Sequence, residues 1–153
     1  MYHHMADSIE QFWADFLTRR GTTESRSGDG GSGFEFALQR EGAVLYILMR
    51  GELEFRYTVG FNEAVDAALA EPMCREVVFH MGKVSFVDST GLACIVNASQ
   101  VVRGREGRVH LAECSPFVLR TLDITRLKRV FVIHDTFPDA CAAAANEPGD
   151  GTA

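Results

Sequence analysis

An excess of basic residues is missing from this sequence: Lys and Arg number 15 against 21 Asp and Glu, for a formal net charge of −6. A general nucleic-acid binder needs clustered Lys and Arg for its phosphate contacts, so no nucleic-acid partner is expected. Long apolar runs are missing as well. The longest uncharged one, Ala43 to Met49, is far below the roughly 20 residues that cross a bilayer, so no membrane span is expected. The first stretch carries Asp7, Glu10 and Asp15 where a secretory signal would be apolar, and a cytoplasmic protein is expected. Cysteine is sparse. Cys74, Cys94, Cys114 and Cys141 never form a Cys-x-x-Cys pair, which speaks against a metal site or a disulfide framework. Free, mostly buried thiols in a reducing compartment are expected, with no metal and no other cofactor. His3 and His4 fit a native or an appended origin equally and carry no weight.

The 153 residues, 46% hydrophobic and 24% charged, suit one domain with a core of its own. Residues 1–20 include a stripe at helical spacing, Ile9, Phe12, Trp13, Phe16 and Leu17, which predicts an amphipathic helix. Residues 21–33 (GTTESRSGDGGSG) read as a flexible linker, 34–145 as the folded domain, and 146–153 as a disordered tail. The stripe is too apolar to stay in water. Three destinations are open: its own sheet or helices, a second chain to give a homodimer, or a membrane surface. The last is disfavoured by a polar face with little positive charge beyond Arg19 and Arg20. Removal of residues 1–33 is expected to leave the domain folded.

Within the domain, 34–40 and 43–49 read as a hairpin turning at Glu41-Gly42, with Gly51 ending the second strand. A helix over 59–70 follows, with Phe61, Val65, Ala68 and Leu69 on one face and Glu71-Pro72 as its stop. Strands are predicted over 76–81, 108–112 and 130–133. Helices are predicted over 92–102, from the Ser115-Pro116 cap, and from Asp135-Thr136. Alternation of strands and helices after a hairpin predicts an α/β fold, a small mixed but mostly parallel sheet with helices packed against it.

One junction stands out. In VSFVDSTGLACIV, Val84 to Val96, the apolar run breaks at Asp88, Ser89, Thr90 and Gly91 and resumes at once. A helix cap explains one side-chain oxygen, yet three successive side chains carry oxygens. Ser89, Ala93 and Asn97 lie four apart, which stacks small side chains along one helix face suited to a docking partner. The opposite face, Leu92, Ile95, Val96 and Ser99, suits the sheet.

MGKVSFVDSTGL (81–92) resembles the signature of STAS domains of the anti-sigma factor antagonist family. SPFVLRTLDITRLKRVFVIHDT (115–136) is similar to that family's third helix and final strand. GELEF (51–55) matches its Gly-Glu-Leu-Asp opening, with Glu54 in place of Asp. The likeness runs from about Phe34 to Ala143. It implies the STAS fold and a switch: the unphosphorylated protein binds a cognate anti-sigma factor that is also a serine kinase, and so frees a sigma factor. Phosphorylation of Ser89 would end the binding, and a phosphatase would reset it. By the same resemblance Asp88 and Gly91, with Thr90 between, are the motif neighbours of Ser89, while Ala93 and Asn97 are expected on the partner surface from their helical spacing alone. Arg126 stands where the family usually has Gly, at a helix end suited to a left-handed residue. The alternative is a STAS subunit that docks constitutively in a scaffold or lipid-transport complex. An enzyme is not expected: Ser89 lacks a Gly-x-Ser-x-Gly elbow, and His110 and His134 fall in or at the end of strands, where structural histidines are commoner.

Overall fold

A computed structural model describes residues 33–146. The helix expected over 1–20, nearly all of the linker, and the tail beyond Asn146 lie outside the described residues. Strand β1 (Phe34–Glu41) and strand β2 (Val44–Leu53) form an antiparallel hairpin. There follow helix α1 (Phe55–Leu69), strands β3 (Glu76–His80) and β4 (Val84–Val87), and helix α2 (Ser89–Arg103). Strand β5 (Arg108–Ala112), helix α3 (Pro116–Ile124), a 3-10 turn (Lys128–Val130), strand β6 (Val132–His134) and helix α4 (Phe137–Ala145) complete the chain. The sheet order is β1-β2-β3-β5-β6, with β4 paired to the far end of β2. Every pairing but the hairpin is parallel. This is the expected mixed α/β architecture.

The differences from expectation have local causes. The hairpin turns at Gly42-Ala43, one residue later than expected, because Gly42 takes the positive φ (63°) of the first turn position. Gly51 does not end β2. It sits at a register shift with φ 108°, and its Cα passes so close to the Gly33 carbonyl that no side chain fits. Past this bulge β2 leaves β3 and takes up β4, where a loop is expected from the sequence. β4 is four residues long, with Val84 and Val87 buried and Ser85 and Phe86 exposed, so no alternation marks it.

Helix α1 starts four residues earlier than expected. Its cap is the Glu54 carboxylate, which accepts the Arg56 N–H (2.9 Å), and Glu is not among the preferred cap residues. Helix α2 starts three residues early, at Ser89, with Asp88 as its cap. Ser115 and Thr136 cap α3 and α4 as expected, accepting the N–H groups of Val118 and Asp139. The last strand begins at Val132 because the 3-10 turn takes up Val130. Arg126 has φ 62°, the left-handed backbone expected at that helix end.

Two apolar layers flank the sheet. On one face Ile47, Val77, Phe79 and Leu111 pack with Phe61 of α1, Ile95 of α2 and Leu122 of α3. Phe61 meets the rings of Phe34 and Phe36 edge-on at 5.3 and 5.0 Å. On the other face Tyr46, Leu48, Val78 and Ala112 pack with Phe137 and Cys141 of α4. Fully burying each large side chain is worth roughly 1.5–3 kcal/mol. Cys74, Cys94 and Cys141 are buried and Cys114 partly so, all as free thiols. On the α4 face the buried Glu76 carboxylate accepts from Arg108 Nε (3.0 Å) and lies 2.7 Å from His110 Nε2. His110 Nδ1 in turn lies 3.0 Å from His134 Nε2.

Candidate functional site

The site begins where β2 and β4 end side by side. Leu53 pairs with Val87, and the Leu53 carbonyl accepts the Asp88 N–H (3.1 Å). The helices that leave these two strands, α1 and α2, therefore start next to each other. Asp88 joins them. Its Oδ1 accepts the Gly91 N–H (2.8 Å) and the Thr90 hydroxyl (2.7 Å), while its Oδ2 accepts the Phe55 N–H at the start of α1 (3.0 Å). One carboxylate thus caps two helices. Partial burial would raise its pKa, but the Thr90 hydroxyl and the Gly91 and Phe55 N–H groups outweigh that and hold it below the usual carboxylate range.

Gly91 is required by packing, since its backbone φ is not in the left-handed region. A Cβ there would lie 2.5 Å from the Leu53 carbonyl oxygen and 2.8 Å from Leu53 Cγ. The small residue lets α2 sit directly on the end of β2. Ser89 is the first helical residue of α2 and is exposed. Thr90 is exposed too, but its hydroxyl is committed to Asp88. Of the two neighbouring hydroxyls, Ser89 is the one presented outward at a helix N-terminus, where free N–H groups favour an anion.

Below the junction an open trough of about 550 Å³ runs between α1 and α2. Ala93, Cys94 and Asn97 of α2 line it with Thr58, Val59, Asn62 and Asp66 of α1. Ser89 and Ala93 are exposed along the expected face, but Asn97 is not a free surface residue. Its Nδ2 donates to Asp66 Oδ1 (3.2 Å) and Asn62 Oδ1 (3.4 Å), which ties the two helices together. The smooth surface is therefore a groove made by two helices. Val59, which lines it, is 69% exposed, and Phe55, one turn earlier on α1, is 65% exposed. Phe55 falls outside the helix expected over 59–70, and Val59 stands at its first position, off the apolar face of Phe61, Val65, Ala68 and Leu69. Glu54, already noted in GELEF, was the signal that could have placed them. Burial raises the Cys94 thiol to about 11, with Asp66 and Asp88 adding to the effect, so it stays protonated at the groove floor. Leu92 and Val96 are half-buried, and the sheet-facing side of α2 is Gly91, Cys94, Ile95, Ala98, Ser99 and Val102.

This fold occurs in known proteins. The STAS domain family model matches residues 35–140, and the chain belongs to that family. It is 24% identical over 101 residues to the anti-sigma F factor antagonist of Paenibacillus polymyxa, covering 66% of this chain and 86% of the relative. Its fold is similar to an anti-sigma factor antagonist from Mycobacterium paratuberculosis (TM-score 0.67, 19% identity, 80% of this chain and 100% of that one). It is also similar to the phosphorylated form of the Bacillus cell fate determinant SpoIIAA (TM-score 0.61, 18% identity, 71% of this chain and 97% of that one). Among the described residues no helix is long and apolar enough to cross a membrane.

Proposed function

We propose that this protein is an anti-sigma factor antagonist, a cytoplasmic binding module switched by phosphorylation of Ser89. The observation that carries the proposal is the exposed Ser89 at the start of α2, directly after the double-capping Asp88 and beside the α1–α2 groove. The unphosphorylated groove, with Val59 and Ala93, takes an anti-sigma factor and so frees its sigma factor. That anti-sigma factor is also the kinase. The Ser89 oxygen attacks the γ-phosphorus of ATP, the bond from that phosphorus to the β-phosphate oxygen breaks, ADP leaves, and the hydroxyl proton passes to a base of the kinase.

The product carries about −1.5 to −2 further charges next to Asp88. Unbound, the α2 N-terminus accommodates them. In a docked interface an uncompensated charge costs roughly 2–5 kcal/mol, about thirty- to several-thousand-fold in affinity. That suffices for a switch, and a phosphatase resets it. No hydrolase chemistry is proposed for Ser89: His110 and His134 face the α4 side of the sheet, while α2 lies on the other.

The test is incubation with the cognate kinase and ATP. Wild type takes up one phosphate and Ser89→Ala takes up none, whereas strong residual labelling at Thr90 counts against the assignment. Partner binding without any phosphate transfer to Ser89 would instead fit a constitutively docking subunit of a scaffold or lipid-transport complex.

A further inference from the structure

Charge is unevenly distributed along this chain. Residues 120–129 hold four bases (Arg120, Arg126, Lys128 and Arg129) and one acid (Asp123), whereas the remaining residues hold 11 bases against 20 acids. The fold fixes where these bases stand. Helix α3 ends in a two-bond C-cap: the Arg126 N–H donates to the Asp123 carbonyl (3.1 Å) and the Leu127 N–H to the Leu122 carbonyl (2.9 Å). Leu127 and Val130 then pack against the core, while Arg126, Lys128 and Arg129 are exposed. Together with Asp123 these three line an open hollow of about 250 Å³. Complementing the helix dipole accounts for little of this, since a helix C-terminus amounts to about half a negative charge. Nor are the cations used up in ion pairs. Lys128 meets Asp123 (3.5 Å), but among the described residues nothing pairs with the side chains of Arg120, Arg126 or Arg129. Arg126 occupies a left-handed position (φ 62°) that glycine would take without strain. Ile124, two residues before it, is 74% exposed.

We infer that the end of α3 and the turn after it form a second docking surface, whose occupant is an acidic segment of another protein. Its carboxylates meet the guanidinium groups, and an apolar side chain meets Ile124. Charge complementarity selects the partner's sign. Planar guanidinium groups bind carboxylates through two parallel hydrogen bonds, which suits Arg126 and Arg129 to this role. A long nucleic acid is opposed by the net charge of −6, and a bare anion gains nothing from an exposed isoleucine. A second copy of this chain is repelled by the same net charge. The surface is separate from the Ser89 groove. Phe117 at the start of α3 stacks on Phe86, three residues before Ser89 (ring centroids 5.7 Å apart), and Arg126 follows Phe117 by nine residues, about 13 Å at helical rise. A partner held there stays bound whether or not Ser89 carries phosphate.

The probes are two fluorescein-labelled short peptides, one repeating Glu-Glu-Leu and one repeating Glu-Glu-Ser, with inorganic polyphosphate as competitor. Anisotropy should show the Glu-Glu-Leu peptide binding the full-length protein more tightly than its serine counterpart, and weakening as salt rises from about 0.05 to 0.5 M. Amide shifts in the NMR spectrum should concentrate on residues 123–129. Loss of one exposed pairing cation costs about two- to fivefold in affinity. Arg126→Gly should weaken the peptide by that factor, and Arg126→Gly/Arg129→Ser by about its square. Because glycine relieves the backbone at 126, the melting point of Arg126→Gly should rise as its affinity falls, which separates lost binding from lost folding. No anisotropy change with wild type, undiminished affinity in the double variant, or shifts centred on the Ser89 groove overturns the inference. Equal binding of the two peptides, with polyphosphate displacing both, overturns the choice of partner in favour of a simple anion. A sedimenting mass that doubles with concentration in wild type, and not in the double variant, would assign the surface to a second copy.

Discussion

Replacing Asp88 tests whether one carboxylate is the joint between the two helices. In Asp88→Ala the Gly91 N–H loses its cap, a loss worth about 1 kcal/mol, and the Phe55 N–H loses its partner, worth about 0.5–1.5 kcal/mol. Together these come to about 2 kcal/mol. For a folded part of 114 residues the unfolding entropy makes 1 kcal/mol equal to about 4 °C. Asp88→Ala should then melt about 8 °C below wild type. Asp88→Asn keeps one acceptor for Gly91 but turns an NH2 toward the Phe55 N–H, so it should fall between the two. The pH dependence adds a second check. A carboxyl held below its ordinary pKa stabilises the fold above that ordinary value, about 4, and the contribution is lost as pH falls through the lower folded value. The gap between wild type and Asp88→Asn should therefore narrow below about pH 4. Differential scanning calorimetry over a pH series measures both. A melting point for Asp88→Ala within about 1 °C of wild type at neutral pH would show that the helix starts are held by something else.

Gly91→Ala forces a Cβ to within 2.5 Å of the Leu53 carbonyl oxygen and should cost about 1–3 kcal/mol in urea unfolding despite the better helix propensity of Ala. Ala93→Arg sits on the exposed groove wall; it should leave the melting point unchanged and abolish capture by the anti-sigma factor, and unchanged affinity would sink the groove assignment. Glu76→Ala strips a buried acceptor from His110 and Arg108 and should destabilise by about 3–5 kcal/mol, read by chemical denaturation. Arg126→Gly relieves a left-handed backbone and should gain about 1 kcal/mol, or about 4 °C.

Residue patterns revealed most of the layer arrangement. β5 was legible to the residue, and Ser115 and Thr136 marked their helix starts, because each combined a standard cap with a clean apolar rhythm. Failures clustered around Gly51. There a positive-φ glycine looks like a strand end, a bulge breaks the alternation of β2, and β4 shows no alternation of its own. Such features arise from pairing between segments some 30 residues apart, which no local window contains. The same limit applies to the site. Ser89 and Asp88 were visible as a motif, but the reach of Asp88 to Phe55 and of Asn97 to Asp66 depends on which helices become neighbours. The groove was therefore read as one helix face when it has two walls.

The handover of β2 from β3 to β4 at Gly51 makes that strand a ruler for the site. Its first part is counted against β1 and β3, and its last residues, Glu52 and Leu53, are counted against Phe86 and Val87. Both halves of the junction hang on the same mark: Phe55 follows Leu53 by two residues, and Asp88 is hydrogen-bonded to the Leu53 carbonyl. A single residue added between Gly51 and Phe55 would slide the start of α1 past Asp88 by one strand step, about 3.3 Å. The turn between β3 and β4 is tied to the same mark, because the Lys83 carbonyl accepts the Gly51 N–H (2.9 Å). Changes of chain length should thus be poorly tolerated on either side of the junction, at Gly82-Lys83 as well as across Gly51 to Phe55.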